Sequence, residues 1–172
     1  MIIVGLTRQP IGHFEFCKLK PDECSIRSID TLPERMTEEL WREITKVNLT
    51  VNRRIIPMSD LQHYGSDEVW AYPDDGFGDC EDFVLEKRRT LIRDGLSVST
   101  LLITVVRKPD GDGHAVLTVR TDKGDFILDN LSDRVRLWTD TGYRYLKRQA
   151  TDNTGHWVSI LDGDEPPVSA VR

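Results

Sequence analysis

The sequence predicts an α+β domain, with N-terminal helices packed on a mostly antiparallel sheet built from the second half of the chain. Three observations carry this. Two stretches before Gly95 place apolar residues at i, i+3, i+4 spacing, the period of an amphipathic helix. After Gly95 the period falls to two and β-branched residues take over. Clusters of Gly, Pro and Asp then cut the second half into pieces of strand length. The chain has 172 residues, enough for a core of its own, and a single domain spanning 1–172 is expected.

The elements follow in order. Pro10, Gly12 and Pro21 interrupt the first 32 residues and Pro33 follows them; this stretch reads as an irregular arm lying on the body. The opening Met1-Ile2-Ile3-Val4-Gly5-Leu6 is apolar but short. It has neither a charged leader nor a small-residue cleavage site, so it does not read as an intact signal peptide, and whether Met1 is a native start stays open. A first helix is expected from about Leu32-Pro33-Glu34-Arg35, with Thr31 as N-cap. Leu40, Trp41, Ile44, Val47, Asn48 and Val51 form its inner face, and it ends near Asn52-Arg53-Arg54. Residues 55–79 read as a long connection. Its aromatics Tyr64, Trp70, Tyr72 and Phe77 argue that it is ordered, and ordered loops of this length are usually functional.

A second helix is expected from Cys80 to Arg93. Asp79 is the natural N-cap, Glu81 and Asp82 suit the first turn, and Gly95 suits the C′ position. Phe83, Val84, Lys87, Leu91 and Ile92 lay out its buried stripe. Strands are expected at 99–106 and 114–120, joined by the turn Lys108-Pro109-Asp110-Gly111-Asp112-Gly113, then at 125–129, 143–148 and 157–161. The tail 163–172, with Pro166-Pro167, reads as flexible.

Composition narrows the function classes. The formal net charge is −6 with a pI near 5.2, which supplies no basic face for nucleic acid. The cluster Glu86-Lys87-Arg88-Arg89 reads as a solvated helix face rather than a phosphate site. No apolar run approaches the roughly 18–20 residues of a membrane span. Cys17 and Cys24 lie seven residues apart. In an oxidising compartment they read as a disulfide pair that leaves Cys80 free, and in a reducing one all three are thiols.

Chemistry concentrates at three positions. Cys80 opens a helix after the loop Tyr72-Pro73-Asp74-Asp75-Gly76-Phe77-Gly78-Asp79, where the helix dipole favours a thiolate. His114 opens a strand after a turn, and Asp129 closes the next one. A cysteine nucleophile needs a base, and the base needs a group that fixes its tautomer. Each residue alone has an ordinary structural reading. Together they fit cysteine catalysis. His13, His63 and His156 show no partner pattern and read as structural or surface residues.

The chain resembles the bacterial transglutaminase-like cysteine proteinases, a family that includes periplasmic proteases of the LapG type. The resemblance runs from about Gly12 to Ile160. It rests on Trp70-Ala71-Tyr72-Pro73, Gly78-Asp79-Cys80-Glu81-Asp82-Phe83, Gly113-His114-Ala115-Val116-Leu117 and Leu128-Asp129-Asn130. It implies a papain-like/transglutaminase-like fold and a peptidase that cuts a peptide bond through a thioester. Cys80 would be nucleophile, His114 base and acid, and Asp129 the orienting carboxylate, with Asn130 adjacent as the other residue type used in that role. An oxyanion would be held by the Cys80 backbone N–H plus a second donor, for which Trp70 and Tyr72 are candidates.

The same resemblance implies calcium beside the nucleophile, at Asp79 and Glu81. Two carboxylates fall short of the roughly 6–8 oxygens that calcium takes, and Asp74, Asp75 and loop carbonyls are the nearby candidates to complete the shell. It also implies a periplasmic or secreted location, a surface adhesin as substrate and an inhibitory membrane receptor as regulator. Transglutaminase or acyltransferase chemistry on the same scaffold, and a catalytically silent protein-binding module, are the alternatives that the sequence leaves open.

Overall fold

In the computed structural model, which describes residues 1–161, four helices and nine strands follow one another as β1 (Ile2–Thr7), α1 (Ile11–Leu19), α2 (Glu38–Arg54), β2 (Ile56–Pro57), α3 (Asp60–Tyr64), β3 (Phe77–Gly78), α4 (Cys80–Arg93), β4 (Leu101–Arg107), β5 (Gly113–Thr121), β6 (Gly124–Asp129), β7 (Ser132–Leu137), β8 (Arg144–Gln149) and β9 (Trp157–Leu161). Seven strands form one sheet in the order β1-β9-β8-β4-β5-β6-β7, antiparallel at every step. Strands β2 and β3 form a separate two-residue parallel pair. The α+β class read from the sequence holds. The expected flexible tail at 163–172 lies outside the described residues.

Helices α2 and α4 lie on one face of the sheet. Ile44, Val47 and Val51 of α2 and Phe83, Val84 and Leu91 of α4 close over Leu101, Ile103, Ala115, Leu117, Val119 and Leu128. Burying each large apolar side chain here contributes about 1.5–3 kcal/mol. A smaller cluster on the opposite face gathers Val106, Val116, Ile127, Tyr145 and Ile160.

Several expectations change. The first 32 residues are not an irregular arm. Ile2–Thr7 pairs with β9 as the edge strand of the sheet, and Ile11–Leu19 is a helix whose short length hides its periodicity. Helix α2 starts at Glu38 with Thr37 as N-cap, its side chain accepting from the Leu40 N–H at 3.1 Å, rather than near Leu32. Residues before it spend their backbone groups on the sheet: Glu34 N–H donates to Arg120 O, and Asp122 N–H donates to Glu34 O. Strand β7 was not foreseen. Its Ser132-Asp133-Arg134-Val135-Arg136-Leu137 is charged, as suits a sheet edge that must not aggregate.

The cluster Glu86-Lys87-Arg88-Arg89 is not a solvated face either. Glu86, Lys87 and Arg88 are buried, because α2, the sheet and the loop carrying Tyr72 cover α4 on several sides. Arg88 donates to Leu101 O at 3.0 Å, and Glu86 is bound by Arg54 and Arg89.

The N-terminal segment closes on itself through a Cys17–Cys24 disulfide, leaving Cys80 as the free cysteine. His13 is buried beneath it between the edges of Trp70 and Trp157, at 5.5 and 5.2 Å between ring centres. Its Nδ1 lies 2.7 Å from Gln9 Oε1, and its Nε2 accepts from Gln149 Nε2 at 3.3 Å. Gly12 packs so tightly on the Trp70 indole that a side chain would have no room. Thus the N-terminal segment fixes the loop that leads to Cys80.

Burial lowers the His13 pKa from 6.5 to about 4, with the Arg88 charge adding to it. The unfolded chain therefore takes up the extra proton first. The contribution to stability is complete above pH 6.5, is withdrawn as pH falls through about 4, and amounts to about 3 kcal/mol. Urea unfolding at pH 7 and pH 4.5 should show a smaller acid-induced loss in His13→Gln than in the parent. Equal losses in the two proteins would contradict this.

Candidate active site

The start of α4 is set by backbone constraints on both sides. Strand β3 pairs with β2, which aims Phe77-Gly78 at the helix, and Asp79 caps it in a capping box with Asp82. A Cβ on Gly78 would come within 2.7 Å of the Asp82 Cβ, so only glycine allows this approach. Asp82 also accepts from the Ala71 N–H at 2.8 Å, tying the preceding loop to the first turn.

Cys80 sits in this first turn, half-buried, against the start of β5. Its Sγ donates to Glu81 Oε2 at 2.9 Å. Burial pushes the thiol pKa well above its ordinary value, and the Glu81 carboxylate pushes it further. The Ala115 backbone N–H, one residue along from His114, pulls the other way. The dipole that favours a thiolate at a helix start is thus outweighed here by burial and a neighbouring anion.

His114 is buried, and its Nε2 lies 2.8 Å from Asp129 Oδ1. Among the described residues no hydrogen bond engages its Nδ1, nor does one join the ring to Cys80. Asp129 Oδ1 also accepts from the Leu131 N–H at 3.0 Å, and Oδ2 accepts from the Tyr143 hydroxyl at 2.7 Å. Burial raises the Asp129 pKa, but the His114 and Tyr143 bonds outweigh it and hold the carboxyl below its usual range. Asn130, the alternative partner in the sequence, shows no hydrogen bond to His114 among the described residues, and its Oδ1 is buried without a hydrogen-bond partner.

Helix α2 holds the backbone of Asp129. Asn48, fully buried, accepts from the Asp129 N–H at 3.0 Å and donates to Ser132 O at 2.8 Å. Asn52 donates to Asp129 O at 2.9 Å. Sequence reasoning placed Asn48 on the inner face of its helix but gave it no role. A polar residue in an apolar stripe was the available signal, since buried amides are nearly always bonded. Tyr143 carried no such mark.

Carboxylates crowd the same helix start. Asp60, Asp79 and Asp82 bring oxygens within 4.8 Å of one another, and Asp79 and Glu81 do so with the Cys80 sulfur. Asp60 Oδ1 and Asp79 Oδ1 are buried with no hydrogen-bond partner. Burial raises the pKa of Asp60 to about 6, of Asp79 to about 7 and of Asp82 to about 8; the charge of Glu81 adds to the rise at Asp79, and that of Asp79 adds to the rise at Asp60 and Asp82. Orphaned, mutually repelling hard oxygens fit a divalent cation such as calcium, which takes about 6–8 of them. Asp74 and Asp75 do not belong to this group. Asp74 pairs with Arg89 at 2.6 Å and Asp75 with His63 at 2.7 Å. Asp60 and Asp82, which sequence reasoning did not assign to metal, stand in their place.

Nor do the Trp70 and Tyr72 side chains reach Cys80 as oxyanion donors. The Trp70 indole is buried against Gly12, His13 and Trp157, and the Tyr72 hydroxyl donates to Glu23 at 2.9 Å. Both aromatics anchor the loop to the N-terminal segment instead.

A free thiol at a helix start, packed on an antiparallel sheet beside a histidine–carboxylate pair, is an arrangement suited to cysteine peptidases. The family description of bacterial transglutaminase-like cysteine proteinases matches residues 3–165, and the chain belongs to that family; it is a cysteine peptidase of the transglutaminase-like superfamily. Three solved structures of LapG from Legionella pneumophila are similar to it. The calcium-bound form is 26% identical, with a TM-score of 0.61 over 76% of this chain and 74% of that one. The EGTA-treated form is 23% identical, with a TM-score of 0.60 over 90% and 81%. A third is 24% identical, with a TM-score of 0.59 over 88% and 80%. Comparison with curated protein sequences gave no match.

Proposed function

We propose that this protein hydrolyses a peptide bond in a protein substrate with Cys80 as nucleophile, His114 as base and acid, and Asp129 as the orienting group. The bond between His114 Nε2 and Asp129 Oδ1 carries this reading, because it leaves Nδ1 as the nitrogen free to exchange a proton with Cys80. The Ala115 N–H at the thiol supports it, since it puts the start of β5 against the helix start.

In the proposed reaction Cys80 Sγ yields its proton to His114 Nδ1 and adds to the carbonyl carbon. The Cys80 backbone N–H at the helix start stabilises the developing oxyanion. The tetrahedral adduct collapses to a thioester, and His114 returns the proton to the leaving amine. Water then attacks the thioester with His114 as base, releasing the acid and restoring the thiol. Asp129 keeps the imidazole in one tautomer throughout.

Calcium is proposed at Asp79 and Glu81, with Asp60 and Asp82. A bound dication supplies positive charge that offsets these acids. LapG from L. pneumophila has been solved in calcium-bound and EGTA-treated forms. A periplasmic or secreted location is in keeping with the disulfide, and no helix among the described residues is long and apolar enough to cross a membrane. The family resemblance suggests a surface adhesin as substrate and an inhibitory membrane receptor as partner.

Incubating surface and periplasmic proteins of the host with the enzyme should yield fragments with new N-termini. Cys80→Ala and His114→Ala should each lower that yield about 10³-fold or more. Undiminished cleavage by Cys80→Ala would overturn the assignment. For the metal, native mass spectrometry in calcium should find one ion per chain in the parent and none in Asp60→Asn. Equal occupancy in both proteins would remove Asp60 from the site.

A further inference from the structure

We propose that Tyr143 is a positioning residue for this site, holding the Asp129 carboxylate in the plane that His114 requires. The inference rests on the Cys80, His114 and Asp129 reading and goes beyond it. The two oxygens of Asp129 are held unequally. Oδ1 has two donors, His114 Nε2 and the Leu131 N–H, whereas Oδ2 has the Tyr143 hydroxyl alone, at 2.7 Å. Backbone anchoring by Asn48 and Asn52 fixes the Asp129 main chain but leaves the carboxylate free to turn about its last bond. The two donors on Oδ1 pin one oxygen, and the Tyr143 hydroxyl pins the other, so that the plane of the carboxylate is held at both ends.

Tyr143 also touches the base directly. Its ring meets the His114 imidazole edge to face, with centres 5.7 Å apart and planes at 72°. One side chain therefore braces both members of the pair, the carboxylate through oxygen and the imidazole through the ring.

The segment that delivers Tyr143 is itself built. Gly142 takes a left-handed conformation at φ 73°, which turns the chain into β8. Thr141 Oγ1 donates to Trp138 O at 2.9 Å and accepts from the Tyr143 N–H at 3.3 Å. Burial and the hydrogen bond to Asp129 raise the Tyr143 pKa, so at neutral pH the hydroxyl keeps the proton that it donates.

Tyr143→Phe keeps the ring on His114 and deletes only the donor. Its test uses iodoacetamide as a probe of Cys80, in calcium, on the parent, Tyr143→Phe and His114→Ala. The second readout is the downfield imidazole N–H resonance of His114, which reports its bond to Asp129. Tyr143→Phe should alkylate about fivefold more slowly than the parent, the effect of one lost hydrogen bond. The His114 resonance should shift or broaden while the melting temperature stays within a few degrees. His114→Ala should alkylate more slowly still.

If Tyr143→Phe matches the parent in rate, or slows without moving the His114 resonance, the positioning role is overturned. If His114→Ala itself alkylates at the parent rate, the underlying assignment of His114 fails instead. Should Tyr143→Phe unfold, Tyr143→Trp, which keeps a ring and an N–H donor, serves as the second variant. A parent-like resonance there, with a slowed rate, also counts against the proposal.

Discussion

Four acids packed around the first turn of one helix form the constraint on which the site depends. Asp60, Asp79 and Asp82 are buried or half-buried, and Glu81 holds the thiol of Cys80. A helix start welcomes negative charge, worth about 0.3–1 kcal/mol for one group near the surface. Several desolvated carboxylates within reach of one another exceed what that dipole can stabilise. Their raised pKa values express this excess, and Cys80 shares it through its bond to Glu81.

Much of the remaining structure serves two fixed points, the helix start and Asp129. The N-terminal segment, closed by its disulfide, holds Trp70 and Tyr72, and these hold the loop whose Ala71 N–H reaches Asp82. On the other side Asn48 and Asn52 of α2 grip the backbone of Asp129. Since α2 and α4 share one core above the sheet, the packing that stabilises the fold also sets the separation of the two halves of the site. An irregular N-terminal arm would not have achieved this. The strand and helix found there are what make the loop before Cys80 rigid.

The sequence revealed the elements whose pattern is local. Helix α4 begins at Cys80 and ends at Arg93 as its cap residues and period indicate, and β9 spans Trp157–Leu161. The grouping of His114 with Asp129 was legible from residue type and order along the chain, and the two side chains are bonded. What was hidden depends on distant partners. Strand β1 exists because β9 pairs with it, and the start of α2 is displaced because Glu34 bonds to the end of β5. Asp60 lies 19 residues before Asp79, so no spacing rule joined them. Glu86 and Arg88 looked solvent-facing because charge is a poor guide where neighbouring elements cover several sides of a helix.

Thermal unfolding tests most directly whether the buried acids act as a cation site. At calcium about 100-fold above its dissociation constant, a single site that forms only in the folded protein adds about 2.7 kcal/mol. For a chain of this size that raises the melting temperature by about 5–10 °C over the value in EGTA. A saturable rise of this order, abolished in Asp60→Asn, is the result predicted. An identical melting temperature in saturating calcium and in EGTA would contradict the account, leaving the acids at the start of α4 as an uncompensated burden on Cys80.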